Sequence, residues 1–263
     1  VITIDTHTHL YLDAFENDRS EMVQRAIDSG VTKMFLPNID ESSITGMHDL
    51  CERFPGHLYP MMGLHPCDVK EDFPEVLHRM KSLLETGRYI AVGETGIDLY
   101  WDKTTLPIQI EAFRIQVEWA KETRLPIVIH ARESYNELFS VLDEMHDERR
   151  LKGVFHCFTG SAEQARRIMS YSTFMMGIGG VLTYPKSGLA ETVRSIPSEY
   201  LVLETDSPFL TPAPHRGKRN ESSYIPLVLA KLSDAKGVSP EELAAMTTAN
   251  ALRMFDRVTH LTH

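Results

Sequence analysis

The chain opens VITIDTHTHLYLD, residues 1–13, and the reading of this stretch decides the fold. A short apolar run, ITID (2–5), leads into two histidines, His7 and His9, set two residues apart. Residues i and i+2 of an extended chain point to one face. The spacing therefore aims both imidazoles into one space, with Asp5 on the same face below them. Two imidazoles above a carboxylate suit a divalent cation. Two polar residues in a turn after a strand would also satisfy the pattern. The pair acquires meaning only from what the other strands end in.

The same rhythm repeats along the chain. Runs at 2–5, 33–37, 58–64, 89–94, 126–130, 153–158, 174–179 and 200–206 predict eight strands. Amphipathic segments near 18–30, 41–54, 74–87, 107–124, 133–148, 161–171 and 187–196 predict helices between them, and two more follow near 223–237 and 239–255. Several boundaries have a cause. Pro107 suits a first helical turn, where its missing N–H costs nothing. Ser161 with Gln164 three residues on forms a capping box. Ser239-Pro240-Glu241-Glu242 supplies an N-cap, a first-turn proline and acids against the helix dipole. Gly30 and Gly87 stand where helices should stop. Strict alternation argues for a parallel sheet with helical crossovers. Eight units in 263 residues fit a closed (β/α)8 barrel, a fold of about 250 residues. An open doubly wound sheet is the rival, but no Gly-rich dinucleotide fingerprint follows an early strand. The expectation is one domain over 1–263, an α/β TIM barrel with an extra C-terminal helix.

The net charge of −10 argues against broad adhesion to nucleic acid. It leaves room for a local basic site, and His215-Arg216-Gly217-Lys218-Arg219 is the densest positive cluster. No apolar run approaches the roughly 20 residues of a membrane span. No basic head precedes an apolar segment, as a signal peptide requires. The three cysteines, Cys51, Cys67 and Cys157, match no disulfide or zinc spacing and read as reduced thiols of a cytoplasmic protein. Cys157 follows His156 on a predicted strand and is expected to face away from it and pack. A monomer is the simplest state.

The strand ends carry the chemistry. Strand one ends in His7 and His9, strand four in Glu94, strand five in His130, strand six in His156 and strand eight in Asp206. In a barrel these ends converge on one mouth, where active sites are built. Four imidazoles and two carboxylates are too many for one tetrahedral zinc with an open position. They suit two divalent cations bridged by Glu94. The first takes His7, His9, Glu94 and Asp206, and the second takes Glu94, His130 and His156. Two cations about 3.5–4 Å apart can clamp the oxygens of a displacement and acidify a water. Asp206 and Glu94 are the expected catalytic residues. His65 in GLHP and Arg132 in IHAR are candidates for holding a phosphate, the latter through its planar fork. His215, Arg216 and Lys218 could take a neighbouring phosphate. Glu204 is expected to share a strand face with Asp206 and to orient an imidazole. Tyr100 and Trp101 could stack a base or pack as a lid.

Taken in order, THTHL, GLHP, VGETGID, IHAR, FHCFTG and LETDSPFL, followed by PHRGKRNES, closely resemble the TatD family of metal-dependent deoxyribonucleases, within the amidohydrolase-like barrel superfamily. The resemblance runs from Asp5 to the helix containing Ala249-Asn250-Ala251. It implies a barrel hydrolase of nucleic acid phosphodiesters, a 3′-to-5′ exonuclease on single-stranded DNA in some members and active on RNA in some. It implies that His7, His9, Glu94, His130, His156 and Asp206 are the metal ligands. One departure is PHRGKRNESSY, with Ser222 where members commonly carry proline. The superfamily's carbamylated lysine on strand four is replaced by Glu94, which favours the TatD branch. Four imidazoles favour Zn, Mn, Fe or Co, whereas the resemblance implies Mg as well. Two rivals remain at this level. One is hydrolysis of a small amide, lactone or phosphotriester on the same framework. The other is a metal-holding protein that binds a partner and catalyses nothing.

Overall fold

The alternation of apolar runs and amphipathic segments becomes eight strands and nine α-helices among the described residues, 1–260, of a computed structural model. The units are β1 (Thr3–Asp5), α1 (Arg19–Asp28), β2 (Val31–Pro37), α2 (Ser43–Arg53), β3 (Leu58–Met61), α3 (Phe73–Leu84), β4 (Val92–Asp98) and α4 (Leu106–Thr123). They continue as β5 (Ile127–Arg132), α5 (Tyr135–Met145), β6 (Gly153–Phe155), α6 (Ala162–Ser170), β7 (Phe174–Ile178), α7 (Leu189–Arg194), β8 (Leu201–Leu203), α8 (Ile225–Lys236) and α9 (Pro240–Met254). The capping box at Ser161 forms as expected, and the Ser239 hydroxyl accepts the Glu242 N–H at 3.2 Å. Among the described residues no helix is long and apolar enough to cross a membrane.

All strand pairs are parallel, in the orders β1-β2-β3 and β4-β5-β6-β7-β8. Two seams join the two sheets into a ring. At one, Met62 bridges to Val92 and the Gly93 N–H donates to the Met62 carbonyl at 2.8 Å. At the other, the Thr6 N–H donates to Leu203 at 3.0 Å and the Asp206 N–H to His7 at 2.9 Å. Asp5 strengthens this second seam. Its buried carboxylate accepts the Thr205 N–H at 3.0 Å and the Thr205 hydroxyl at 2.6 Å. Asp5 therefore ties β1 to the segment after β8 instead of standing beneath the histidines as part of a cation site. Burial pushes its carboxyl up to about 7, against the lowering effect of these bonds.

The core has two parts. The larger lies between strands and helices, where Leu, Ile, Val, Met and Phe fill the gap. The smaller fills the inside of the ring with Ile4, Phe35, Val128, Val154, Met175 and Val202, and α9 contributes Ala251 and Met254 to it. Just beyond α9, Phe255 packs on Phe35 with ring centroids 4.8 Å apart. The extra C-terminal helix thus plugs the N-terminal end of the barrel. The opposite end stays open.

Strand boundaries differ from the sequence reading in ways that matter for the site. β4 runs Val92–Asp98, not 89–94, so Glu94 lies inside the strand and Asp98 ends it. Its pairing with β5 shifts register between Val92 and Thr95. β6 stops at Phe155 and β8 at Leu203, so His156, Glu204 and Asp206 sit on the turns that follow. Gly96 makes the close approach of β4 and β5 possible: a Cβ there would lie 2.1 Å from the His130 carbonyl oxygen, at φ +145°. Gly96→Ala should therefore destabilise the fold by at least about 2 kcal/mol, since backbone on both sides must move. Urea unfolding checks this; an unchanged midpoint would mean that β4 and β5 can separate freely.

Candidate metal centre

Segments from five strand ends and one turn meet at the open mouth of the barrel, around a cavity of about 700 Å³. Glu94 is buried in its middle, and its two oxygens divide the histidines. Oε1 lies 2.7 Å from His156 Nε2, 2.9 Å from His130 Nδ1 and 3.4 Å from His65 Nε2. Oε2 lies 3.1 Å from His7 Nε2 and 3.5 Å from His9 Nε2. Asp206 Oδ1 stands 3.5 Å from His9 Nε2 and 3.7 Å from His7 Nε2. Three groups here have donors close enough to share a cation: His7, His9 and Glu94; His7, His156 and Asp206; and His65, Glu94 and His130.

The hydrogen bonds behind the rings decide which nitrogens can act as donors to a metal. The single Tyr11 hydroxyl proton goes to the Pro37 carbonyl at 2.6 Å, so Tyr11 can only accept from His9 Nδ1, 3.0 Å away. The neutral His9 ring then carries its proton on Nδ1 and presents a lone pair on Nε2, toward Glu94 and Asp206. His130 is set the opposite way round. Its Nε2 faces the Asp98 carboxylate at 2.8 Å, so its lone pair is on Nδ1, toward Glu94. His7 and His9 Nε2 approach to 3.3 Å, and His130 Nδ1 and His156 Nε2 also to 3.3 Å. Converging imidazole nitrogens with buried carboxylates beside them are a fitting donor set for divalent cations. His65 differs. Its Nδ1 accepts the Cys67 N–H at 3.1 Å, capping the turn at Pro66, so the neutral ring carries its proton on Nε2. His65 is a hydrogen-bond donor to the cavity.

The charges support one another. Burial would raise the Glu94 carboxyl, yet His156, His65, His7 and His130 hold it well below the usual carboxylate range. Burial opposes charge on Asp206 too, and His9, His156 and His7 keep it lowered. Burial would lower His9, but Tyr11, Asp206 and Glu94 hold it well above the ordinary imidazole value. His156 is raised against its burial by Glu94 and Glu204, and His130 against its own by Asp98 and Glu94. His7 is lowered, by burial and by His156, whose ring stacks on it at 3.8 Å.

Other expectations meet the structure unevenly. Glu204 is fully buried behind His156, 3.6 Å from its Nδ1, and its Oε1 also accepts the Cys157 N–H. Gly177 leaves it room, since a Cβ there would lie 2.0 Å from Glu204 Oε2. Glu204 follows β8 instead of sharing a strand face with Asp206. Cys157 does not pack away from His156. The chain turns through φ +47° at Cys157, beyond the end of β6, so alternation fails and the residue lines the cavity. Arg132 has no carboxylate partner among the described residues; its guanidinium lies over the Tyr100 ring at 3.8 Å and near Trp101 at 5.5 Å. His215 and Arg216 do not line the cavity. His215 stacks on Tyr224 at 4.6 Å, and Arg216 lies over Tyr184 at 4.1 Å. Lys218 is likewise outside the lining, and Arg219 pairs with Asp18 at 2.8 Å. Ser222 starts a short 3-10 turn before α8 and is buried, its hydroxyl 3.4 Å from that of Thr8. Sequence reasoning missed Tyr11 and Asp98. Tyr11 stands two residues after His9, and Asp98 four after Glu94 at the end of VGETGID, so the spacing that marks the ligands also reaches them.

Comparison with known proteins decides the family. The family model described as TatD related DNase matches residues 4–256. The chain belongs to the TatD family. It is 39% identical over 252 residues to the uncharacterized metal-dependent hydrolase YabD of Bacillus subtilis, spanning 95% of this chain and 98% of that protein. It is 33% identical over 262 residues to the 3′-5′ ssDNA/RNA exonuclease TatD of Salmonella typhimurium, spanning 97% and 99%. The crystal structure of YjjV, a TatD homologue from Escherichia coli, matches with a TM-score of 0.90 at 30% identity, covering 97% of this chain and 98% of that one. This TatD-family chain is therefore a metal-dependent hydrolase built as a TIM barrel.

Proton competition gives the cluster a testable sign. His9, His130 and His156 hold protons above the ordinary imidazole range, so a cation must displace protons to bind. Metal affinity should rise with pH and fall as pH drops through the raised imidazole values. Calorimetry at pH 7 in buffers of different ionisation enthalpy should detect proton release. Identical heats in all buffers would mean that these rings are already neutral at pH 7 and that no proton competes with the cation.

Proposed function

We propose that this chain holds two divalent cations and removes nucleotides from the 3′ end of single-stranded DNA, with RNA as a second substrate. One observation carries the two-cation reading: Glu94 turns Oε2 to His7 and His9 and Oε1 to His130 and His156. The first cation would take His7, His9, Glu94 and Asp206, and the second Glu94, His130 and His156. When bound, such cations polarise phosphoryl oxygens and make a water acidic. The substrate polarity is supported by the name of the Salmonella relative.

The chain's own residues supply the rest. Asp206, held ionised, is the acceptor for the proton of the attacking water. His65 donates from Nε2 toward the scissile phosphate. Arg132, its face on Tyr100, keeps its N–H edge free to fork a phosphate. Trp101 is 71% exposed and Phe209 50% exposed at the mouth, flat surfaces on which unpaired bases stack. Arg132 is the one Lys or Arg among the described residues lining the cavity. Together with the net charge of −10, this suits capture of a terminal segment and not tracking along a duplex. His215 and Arg216 lie outside the cavity and would meet only a phosphate farther along the strand.

The test uses an end-labelled single-stranded oligonucleotide, metal-stripped protein, and Mg, Mn or Zn added in turn. A ladder shortening from the 3′ end is expected. Asp206→Asn should fold and bind the strand but lose about 100- to 10,000-fold in rate, the usual worth of a general base. Absence of cleavage by protein that binds two cations, alongside turnover of a lactone or phosphotriester, would overturn the nuclease reading. Arg132→Ala should raise KM several-fold with kcat little changed. An unaltered KM would remove Arg132 from substrate binding.

A further inference from the structure

Asp98 ends β4, four residues after Glu94, and both of its side-chain oxygens are committed. Oδ1 accepts the Tyr100 N–H at 2.9 Å and the Trp101 N–H at 3.4 Å. Oδ2 lies 2.8 Å from His130 Nε2. The side chain is buried. Its backbone is clamped independently by Gln109 of α4, which accepts the Asp98 N–H at 2.8 Å and donates to the Asp98 carbonyl at 3.1 Å. One carboxylate thus joins a candidate cation ligand to the loop that carries the exposed Trp101 ring.

We infer that Asp98 is a positioning residue with two tasks: through Oδ2 it keeps the His130 proton on Nε2 so that Nδ1 can meet a cation, and through Oδ1 it holds the Tyr100–Trp101 wall in place. The inference rests on the cation reading of His130 given above. A carboxylate can perform both tasks because it only accepts. An amide cannot. Backbone N–H groups only donate, so the side chain of Asp98→Asn must turn its oxygen to Tyr100 and Trp101 and its NH2 to His130. His130 must then accept on Nε2, which moves its proton to Nδ1 and removes the lone pair facing Glu94. The asparagine substitution therefore blocks the ligand and leaves the wall intact. Asp98→Ala releases both. The Gln109 clamp remains in each variant.

The experiment titrates Mn2+ into metal-free wild type, Asp98→Asn and Asp98→Ala by calorimetry, and follows Trp101 by fluorine NMR of fluorotryptophan-labelled protein. Asp98→Asn should weaken Mn2+ binding about 10- to 100-fold, the usual effect of removing a partner of a ligand imidazole. It should leave the Trp101 resonance unchanged. Asp98→Ala should weaken Mn2+ binding and also shift or broaden that resonance. A third measurement needs no variant: nitrogen-15 NMR of the Zn2+-loaded wild type should find the His130 proton on Nε2. Equal Mn2+ affinity in wild type and Asp98→Asn, or a His130 proton on Nδ1, would overturn the role of Asp98 alone. A wild type that takes up no cation would overturn the cation reading and this inference with it.

Discussion

A carboxylate buried among imidazoles is the constraint on which the rest of this molecule depends. Glu94 is 2% exposed and would be costly to ionise there on its own. Five histidines from four segments, His7, His9, His65, His130 and His156, stand within 3.5 Å of its oxygens and make the charge tolerable. No helix or hairpin could gather such a set. A closed parallel barrel can, because every strand delivers its C-terminal end to the same rim. The geometry is then held from behind. Tyr11, Asp98 and Glu204 each fix or face one ring, and Asp5 ties the His7 segment to the Asp206 segment through Thr205.

The two ends of the barrel have been given opposite treatment. α9 and the residues after it seal the N-terminal end with apolar side chains, so the floor beneath the site is apolar and packed. The mouth is left open and asymmetric. Arg132 on Tyr100, with Trp101 beside it, forms one part of its rim, and Phe209 and Leu210 belong to another. Under the proposed function, these aromatic faces and the one arginine at the cavity would hold a few nucleotides at a strand end through stacking and a local charge.

Much of the basic character after β8 has a structural task instead. Arg219 lies over Phe15 at 4.6 Å and pairs with Asp18, and Arg25 joins Asp18 to Glu221. These contacts fasten the loop after β8 to α1 and the segment before it. Within the run His215–Arg219, Arg219 is thus a latch. Arg216 and His215 lie on aromatic faces outside the cavity.

The sequence by itself determined the eight-fold strand–helix rhythm, the parallel barrel, the extra C-terminal helix and the residues that meet around Glu94. It could do so because each was encoded locally: alternation of runs, helix caps, and a polar residue at the end of an apolar strand. Tertiary structure alone decided the rest. Glu94 became an interior strand residue because β4 runs on to Asp98, shifting register against β5 between Val92 and Thr95 and passing close to it at Gly96. Cys157 came to the cavity because the chain turns left-handed one residue after His156. Asp5 was drawn to Thr205, 200 residues away, and meets His7 at its backbone N–H instead of its ring. The protons of two rings are set in this way: by Asp98 for His130, and for His9 by Tyr11, whose own hydroxyl proton is engaged by Pro37. Spacing along a chain specifies which side chains share a face. Which of their atoms is free for chemistry depends on neighbours that only the folded barrel brings within hydrogen-bond distance.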